Sequence, residues 1–406
     1  MLGTYRMAGQ ELDSLDLKAS VVTQGVKVSG AVYKRFCRTH RLHPDPRACN
    51  SMILPDRTTV LLTDLALHLR YLKTAIVLEA LRNIRHLVRL KTPFTLDVAS
   101  DGRPVLSHNG EPVTEVAFPP ASQFYEQQTT SGLPFLGNAV LLGNEYVAFQ
   151  CLWPCDLAKA GYACQFCYAG AMMQRLAKDN KPNSPTPSPR DVAEIVRFGI
   201  QQERAATGVQ ITGGTTLNTQ AECRLIVEYL NELDRVVGMD NIPGEVLVFT
   251  TPPTDPTEVD QVFAAGADRI ACSLEVWDED LARAITPGKV KFTGRQRHLN
   301  TLTYIAEKYG PNKACSVFIV GLEPAESLLA GAEYLAQRGV VPATSVWIPF
   351  GRPVMGNTTP PGLDYYRRVK EGLADIYRKH RIALPVSCPC GVCSDAWDQQ
   401  LAVGVL

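Results

Sequence analysis

The stretch "CLWPCDLAKAGYACQFCYAG", residues 151–170, places four cysteines within seventeen positions, in a chain that has 12 cysteines in all. Cys164 and Cys167 form a C-x-x-C pair, Cys155 stands eight intervening residues before them, and Cys151 three before that. Thiolates at this density bind soft metals, and two chemistries compete for them. Four cysteines can close a tetrahedron around a structural zinc ion. Three can hold a [4Fe–4S] cluster and leave one iron open for chemistry. The flanking residues favour iron: Phe166 and Tyr168 bracket the last ligand. A zinc strut has no use for aromatics there, whereas a site that shields a cluster and holds a purine does.

Such a site needs a scaffold, and the pattern from about residue 146 onward supplies one. Short β-rich runs read "YVAFQ" (146–150), "GVQIT" (208–212), "EVLVFT" (245–250), "RIACSL" (269–274), "ACSVFIV" (314–320) and "TSVWIPF" (344–350). Between them lie segments with helical spacing, among them "PRDVAEIVRFGIQQERAA", "ECRLIVEYLNELDRVV", "GRQRHLNTLTYIAEKY" and "AESLLAGAEYLAQRG". Strands apolar on both faces and separated by helices imply a parallel sheet of βα units. Six strands are too few for a closed eight-stranded barrel, so the expected fold class is α/β, a partial (β/α)6 TIM-like barrel. In that architecture the chemistry belongs at the carboxyl ends of the strands, and the cysteine stretch follows the first of them. Ser188 is expected to cap the first long helix, with Pro189 at its first position.

The remaining chain frames this barrel. The expected organisation is an N-terminal α+β accessory region (1–135), the barrel (136–360), and a C-terminal helix ending near His380 with a cysteine-rich tail (361–406). In the accessory region a helical pattern from about 60 to 90 precedes "DGRPVLSHNGEPVTEVAF", which reads as a hairpin. Residues 31–91 carry 12 Lys/Arg against 4 Asp/Glu; this is read as a solvated helix face, with contact to an anionic partner as the alternative.

Over all 406 residues Lys+Arg and Asp+Glu balance at 41 each, so no global field draws the protein to nucleic acid or membrane. The opening "MLGTYRMAGQELDSLDLK" lacks the basic-then-apolar pattern of a signal peptide. The most apolar helical stretch is interrupted by Asp64, His68, Arg70, Lys73 and Glu79, which excludes it as a membrane span. Cysteine richness without an export signal points to a reducing, cytoplasmic setting. Neither a P-loop, nor G-x-G-x-x-G after a strand, nor H-E-x-x-H occurs, so nucleotide hydrolysis and zinc proteolysis have no support.

The cysteine stretch resembles the signature of the radical S-adenosylmethionine (SAM) superfamily, C-x-x-x-C-x-Φ-C with Φ aromatic, after the first strand of a partial barrel. "CQFCY" matches at Cys164, Phe166 and Cys167. The first spacing departs, reading C-x8-C-x2-C from Cys155 or C-x12-C-x2-C from Cys151, and Cys155 is preferred as the first ligand. "QITGGTT" resembles the family's Gly-Gly-Glu type turn, which implies that Gly213, Gly214, Thr215 and Thr216 receive the methionine amino group. "CSLEVWDEDLARAITPGKVKFTGR" is similar to the biotin synthase and hydrogenase-maturation branch. That likeness implies Ser273 and Glu275 toward the SAM ribose and amino acid, and Arg295 on the carboxylate; an ion pair between Glu275 and Arg295 is the plainer alternative. "FIVGLEPAES" resembles the turn beneath the adenine, with Val320 and Gly321 matching and Glu323-Pro324 departing. "WIPFGRPVMGN" resembles the ending of the sixth strand. Together these cover about residues 140–357.

The resemblance implies a [4Fe–4S] cluster on Cys155, Cys164 and Cys167, with SAM bound at Phe166, Tyr168 and the strand-end residues above. It implies reductive cleavage of SAM to a 5′-deoxyadenosyl radical that abstracts hydrogen from a small biosynthetic molecule. An electron donor such as flavodoxin or ferredoxin would supply the electron. Modification of RNA or protein, and a non-catalytic zinc module, are the rival readings; neither membrane nor nucleic acid is the expected partner. The tail cysteines Cys388, Cys390 and Cys393 fit a second iron–sulfur cluster or a zinc site, and Cys37 and Cys49 are candidates to complete it. Cys223, Cys272 and Cys315 sit in apolar patterns and are read as core residues.

Overall fold

The computed structural model describes residues 2–45, 47–62, 92–152, 154–167, 186–347, 355 and 359–383. The helical pattern of 63–91, Tyr168, and the tail cysteines therefore lie outside the described residues. The first part of the chain is built from small sheets. β1 (Thr4–Met7) and β2 (Gln10–Asp13) form a hairpin, followed by α1 (Ser14–Gln24), β3 (Lys27–Val28) and α2 (Gly30–Phe36). β4 (Ser51–Ile53) pairs with β5 (Thr59–Leu61), and β6 (Phe94–Val98), β7 (Pro104–His108) and β8 (Glu111–Glu115) join β3 in a four-stranded sheet. The expected hairpin is β7–β8, and it turns on Asn109 and Gly110, both at positive φ (51° and 86°). Asn-Gly is the pair that accepts this twist most readily.

From β9 (Ala139–Leu142) the sheet changes character. β10 (Tyr146–Leu152), β11 (Gly208–Gly213), β12 (Val246–Phe249), β13 (Arg269–Ala271), β14 (Ala314–Val320) and β15 (Val341–Val346) run parallel as consecutive neighbours, with β9 antiparallel at the outer edge. The helices after α2 are α3 (Asp156–Lys159), α4 (Pro189–Arg197), α5 (Thr219–Val236), α6 (Asp260–Ala264), α7 (Glu279–Ile285), α8 (Arg295–Tyr309), α9 (Ala325–Ala336) and α10 (Leu363–His380). The partial (β/α)6 barrel is thus present. Ser188 caps α4 as expected, accepting from the Asp191 N–H at 3.1 Å.

The alternation along each strand explains how an apolar run yields an open lumen. On β11, Val209 and Ile211 are fully buried in the core, while Gln210 and Thr212 line the interior. Ala271, Val317 and Ser345 line it from other strands, and their small size leaves room for a ligand. The sixth strand corrects the expected span, beginning at Val341 rather than 344 and ending at Val346. The strand takes in Pro342, which has no N–H to give to a ladder. β15 is an edge strand, however, where a missing N–H is tolerated, and Pro342 pairs with Ser316.

Helix α10 returns over the sheet and meets α1. Lys370, 5% exposed, reaches Asp13 at 2.6 Å and Asp16 at 3.3 Å, and Arg367 reaches Asp16 at 2.8 Å. Removing one partner of a buried ion cluster strands the others. Lys370→Met is therefore expected to destabilise the protein by about 3–5 kcal/mol, read as a lower urea midpoint at unchanged slope. An unshifted midpoint would mean that this seam between α1 and α10 carries no stability.

Candidate active site

The strand-end loops are stitched to one another before any ligand is considered. The Gly214 N–H donates to the Leu152 carbonyl (2.8 Å), and the Asp156 N–H to that of Thr215 (2.8 Å). Asp156 in return accepts from the Thr216 hydroxyl (3.0 Å) and the Leu217 N–H (3.1 Å). These bonds bind the glycine turn after β11 to the cysteine loop after β10. Glu222, on α5, is 1% exposed and accepts from the N–H groups of Thr216 (3.1 Å) and Thr251 (2.6 Å) and from the Thr250 hydroxyl (2.8 Å). It thereby fixes the ends of β11 and β12 together. Glu323, at 5% exposure, does the same between later loops through Trp277 N–H, Asp278 N–H and Ser327.

Glu222→Ala is expected to cost about 2–4 kcal/mol, because it leaves several buried donors without an acceptor. Thermal or chemical denaturation checks this, and a loss below about 0.5 kcal/mol would show that the loops are held otherwise.

Within this frame the cysteines separate into two kinds. Cys151 lies on β10 at 1% exposure, and burial, reinforced by the neighbouring Glu222 carboxylate, pushes its thiol up to about 12. Cys155, Cys164 and Cys167 are only partly covered, and the charges of Cys155 and Cys167 both act on Cys164. The Cys167 N–H closes a turn onto the Cys164 carbonyl (3.1 Å). Burial also pushes the Cys164 thiol up to about 12, opposed by the positive charge of Lys289.

Among the described residues, no three His, Cys, Asp or Glu side chains are drawn together tightly enough for a single metal ion. The donor set, thiols alone and three in number, fits a cluster with one iron left open.

Beside them opens a cavity of about 340 Å³ at the carboxyl ends of the strands. Of the residues expected to touch SAM, Gly213, Gly214, Thr215, Ser273 and Glu275 line it. A Cβ on Gly214 would stand 2.7 Å from the Cys155 Cα, and one on Gly213 2.8 Å from the Leu152 nitrogen. The two glycines are therefore required by the approach of the cysteine loop, besides any ligand. Thr216 is engaged in the stitching just described. Phe166 is half-buried against the core, and Val320 is fully buried at the end of β14.

Arg295 is placed differently from expectation. It does not line the cavity; its guanidinium lies over the Trp277 ring at 4.4 Å and pairs with Glu279 at 3.2 Å. The alternative pairing with Glu275 is not formed either. Glu275, at positive φ (71°), pairs with Lys289 at 2.6 Å.

Lys289 and His298 were not singled out from sequence, and both line the cavity. Lys289 opens a π-helical turn (Lys289–Thr293) and also donates to the Ser273 carbonyl at 2.7 Å. Burial pulls its pKa down, but the Glu275 carboxylate beside it, by charge and hydrogen bond, helps hold it above the ordinary lysine value. His298, at 3% exposure on α8, donates from Nδ1 to the Gly294 carbonyl at 2.9 Å, which leaves Nε2 as an acceptor. Burial, aided by the Lys289 charge, pushes its pKa down to about 3, so the ring is neutral. Lys289 sits inside the quoted "ITPGKVKF", where the Pro-Gly turn was the only local signal. His298 had no signal beyond its helical register.

Among the described residues, no helix is long and apolar enough to cross a membrane. Residues 160–325 match the family described as the radical SAM superfamily. The chain is 25% identical over 305 residues to a bacteriochlorophyllide c C-7(1)-hydroxylase of Chlorobaculum limnaeum, covering 73% of this chain and 75% of that one. Similar solved structures include a radical SAM methyltransferase from Sphaerobacter thermophilus (15% identity, 77% of this chain and 85% of that one, TM-score 0.40). Another is coproporphyrinogen III oxidase from Escherichia coli (14% identity, 43% and 41%, TM-score 0.32), of which the chain spans about two fifths.

Proposed function

We propose, from the premise that this chain is a radical SAM enzyme by its residues 160–325, that it cleaves SAM reductively to remove hydrogen from a small biosynthetic molecule. Its family implies a [4Fe–4S] cluster and SAM. Cys155, Cys164 and Cys167 are the residues that would hold the cluster. The observation that carries this reading is the cavity at the strand ends, bordered by the glycine turn that is bonded to the cysteine loop. When bound, cluster and SAM supply a one-electron cleavage of a carbon–sulfur bond and the carbon radical that follows.

The chain's own residues bind and orient. Gly213 and Gly214 expose backbone to an ammonium group, and Ser273 offers a hydroxyl to a ribose. Glu275 and Lys289 present opposite charges to the amino acid moiety, with Lys289 taking the carboxylate role that sequence had given to Arg295. The neutral Nε2 of His298 accepts from a hydroxyl or N–H of the occupant. The small interior residues leave the lumen to the substrate and keep competing side-chain hydrogen donors few.

A small-molecule substrate is favoured by the relative, which is named for hydroxylating a bacteriochlorophyllide. An electron donor of flavodoxin or ferredoxin type and a cytoplasmic setting complete the proposal.

Anaerobic reconstitution with iron, sulfide, dithionite and SAM tests it. The expected result is a brown protein that releases 5′-deoxyadenosine and methionine, with deuterium carried from a labelled metabolite into the 5′-deoxyadenosine. A colourless protein that retains zinc instead would overturn it.

A further inference from the structure

The cysteine pair rests on the segment that follows α7. The Gln165 N–H, between Cys164 and Cys167, donates to the Ile285 carbonyl at 2.8 Å, and the Cys167 N–H closes back onto the Cys164 carbonyl. Three residues on from Ile285, Gly288 meets the same loop. A Cβ there would stand 2.5 Å from the Tyr162 carbonyl oxygen and 3.0 Å from the Leu157 Cβ. The Tyr162 N–H is itself bonded to the Leu157 carbonyl at 2.8 Å, so the glycine faces a closed turn of backbone. Beyond it, Lys291 reaches the Tyr162 hydroxyl at 2.5 Å and lies over its ring at 3.8 Å. The Phe292 ring meets that of Tyr162 edge-on, with centroids 5.5 Å apart.

Conformation does not call for glycine at 288. Its backbone stands at φ −69° and ψ −41°, ordinary helical geometry in which alanine is favoured over glycine. The missing side chain is accounted for by the approach of Tyr162 and Leu157.

We propose that Gly288 is a positioning residue of the three-cysteine site: it lets the 157–162 turn settle on the segment after α7, and that contact, with the Gln165 bond, places Cys164 and Cys167 to hold the cluster. This rests on the reading that Cys155, Cys164 and Cys167 hold a cluster. Gly214 packs on Cys155 from the turn after β11, so the loop is laid against two glycines, one for each end of the ligand set. Ligands lose affinity when the groups that orient them shift. A methyl at 288 pushes on the Tyr162 backbone, and the two ligands stand only two and five residues downstream.

The test compares wild type, Gly288→Ala and Lys291→Met, each reconstituted anaerobically with iron and sulfide and without SAM. Gly288→Ala is expected to release iron to a chelator roughly 10–100-fold faster than wild type. Its reduced cluster is expected to give a shifted electron paramagnetic resonance spectrum. Iron-free Gly288→Ala is expected to melt within ~3 °C of iron-free wild type, because the loop can yield when no cluster holds it. Lys291→Met, which removes only the exposed contact to Tyr162, is expected to speed release about 2–5-fold. Should Gly288→Ala fail to fold, Lys291→Met decides by the same measure. Release and spectrum equal to wild type in Gly288→Ala, or an iron-free variant destabilised as much as the loaded one, would overturn the assignment while leaving the cluster reading intact. Absence of iron and sulfide from the wild type would remove the cluster reading itself.

Discussion

Cys155→Ala, Cys164→Ala and Cys167→Ala are each expected to purify without the brown colour and to release no 5′-deoxyadenosine, whereas Cys151→Ala keeps both. The division follows from placement. Cys151 points from β10 into the core beside Glu222 and Tyr229, with its thiol held protonated by burial. Cys155 and Cys167 both stand within electrostatic reach of Cys164, and Gly214 of the cavity wall packs on Cys155. A cluster with three protein ligands loses its footing when one is removed, because the remaining two cannot complete the coordination of three irons. Cys151→Ala removes one buried sulfur and leaves a small void, a cost of about 1 kcal/mol. Iron and sulfide content, measured alongside folding by circular dichroism, separates the outcomes. Loss of iron in Cys151→Ala with retention in Cys155→Ala would reverse the assignment of the first ligand.

Gly214→Ala is the second variant with a large expected effect. The added methyl would lie 2.6 Å from the Cys155 Cβ and 2.7 Å from its Cα, closer than carbon atoms approach without bonding. Backbone, and not the end of a flexible side chain, is what it meets. The Cys155 segment is also tied down by the Asp156 bonds to Thr215, Thr216 and Leu217, so it cannot simply swing aside. Overpacking of this kind costs about 1–3 kcal/mol. Displacing one ligand is expected to weaken iron retention roughly 10–100-fold, the range seen when the support of a metal ligand is disturbed. Iron release to a chelator, compared between Gly214→Ala and wild type, measures it. Equal release rates would mean that Cys155 is not a ligand, or that the loop yields at no cost.

Much of the barrel was legible because its signals are local. Five of the six strands begin within a residue of where their apolar runs do, and α10 ends at His380, where its helical pattern ends. The sixth strand starts three residues earlier than its quoted run and takes in Pro342, which the sheet edge tolerates, and edge placement is a property of the whole sheet. Cys164 and Cys167 were singled out by their spacing and the glycine turn by its resemblance to a family motif, both of them features of neighbouring residues. Cys155 was preferred over Cys151 from sequence, and the structure adds a difference in their surroundings. Cys151 lies on β10, which bulges near it, beside Glu222 and Tyr229, whereas Cys155 stands past the strand end as the N-cap of α3.

Charge partners were the least legible. Arg295 and Lys289 are both cations downstream of the same strand, and a guanidinium matches a carboxylate better in isolation. The positive φ of Gly294 and the start of α8 set Arg295 against Trp277 and Glu279, while the π-helical turn brings Lys289 to Glu275. By itself, then, the sequence determined which elements form and which chemistry the cysteines can support, since periodicity and donor type are written in neighbouring residues. The tertiary structure decided which cation pairs with Glu275 and which carboxylates clamp the loops. Coulombic and hydrogen-bond energies fall steeply with distance, and those distances join residues far apart in the chain that meet only when the sheet is assembled.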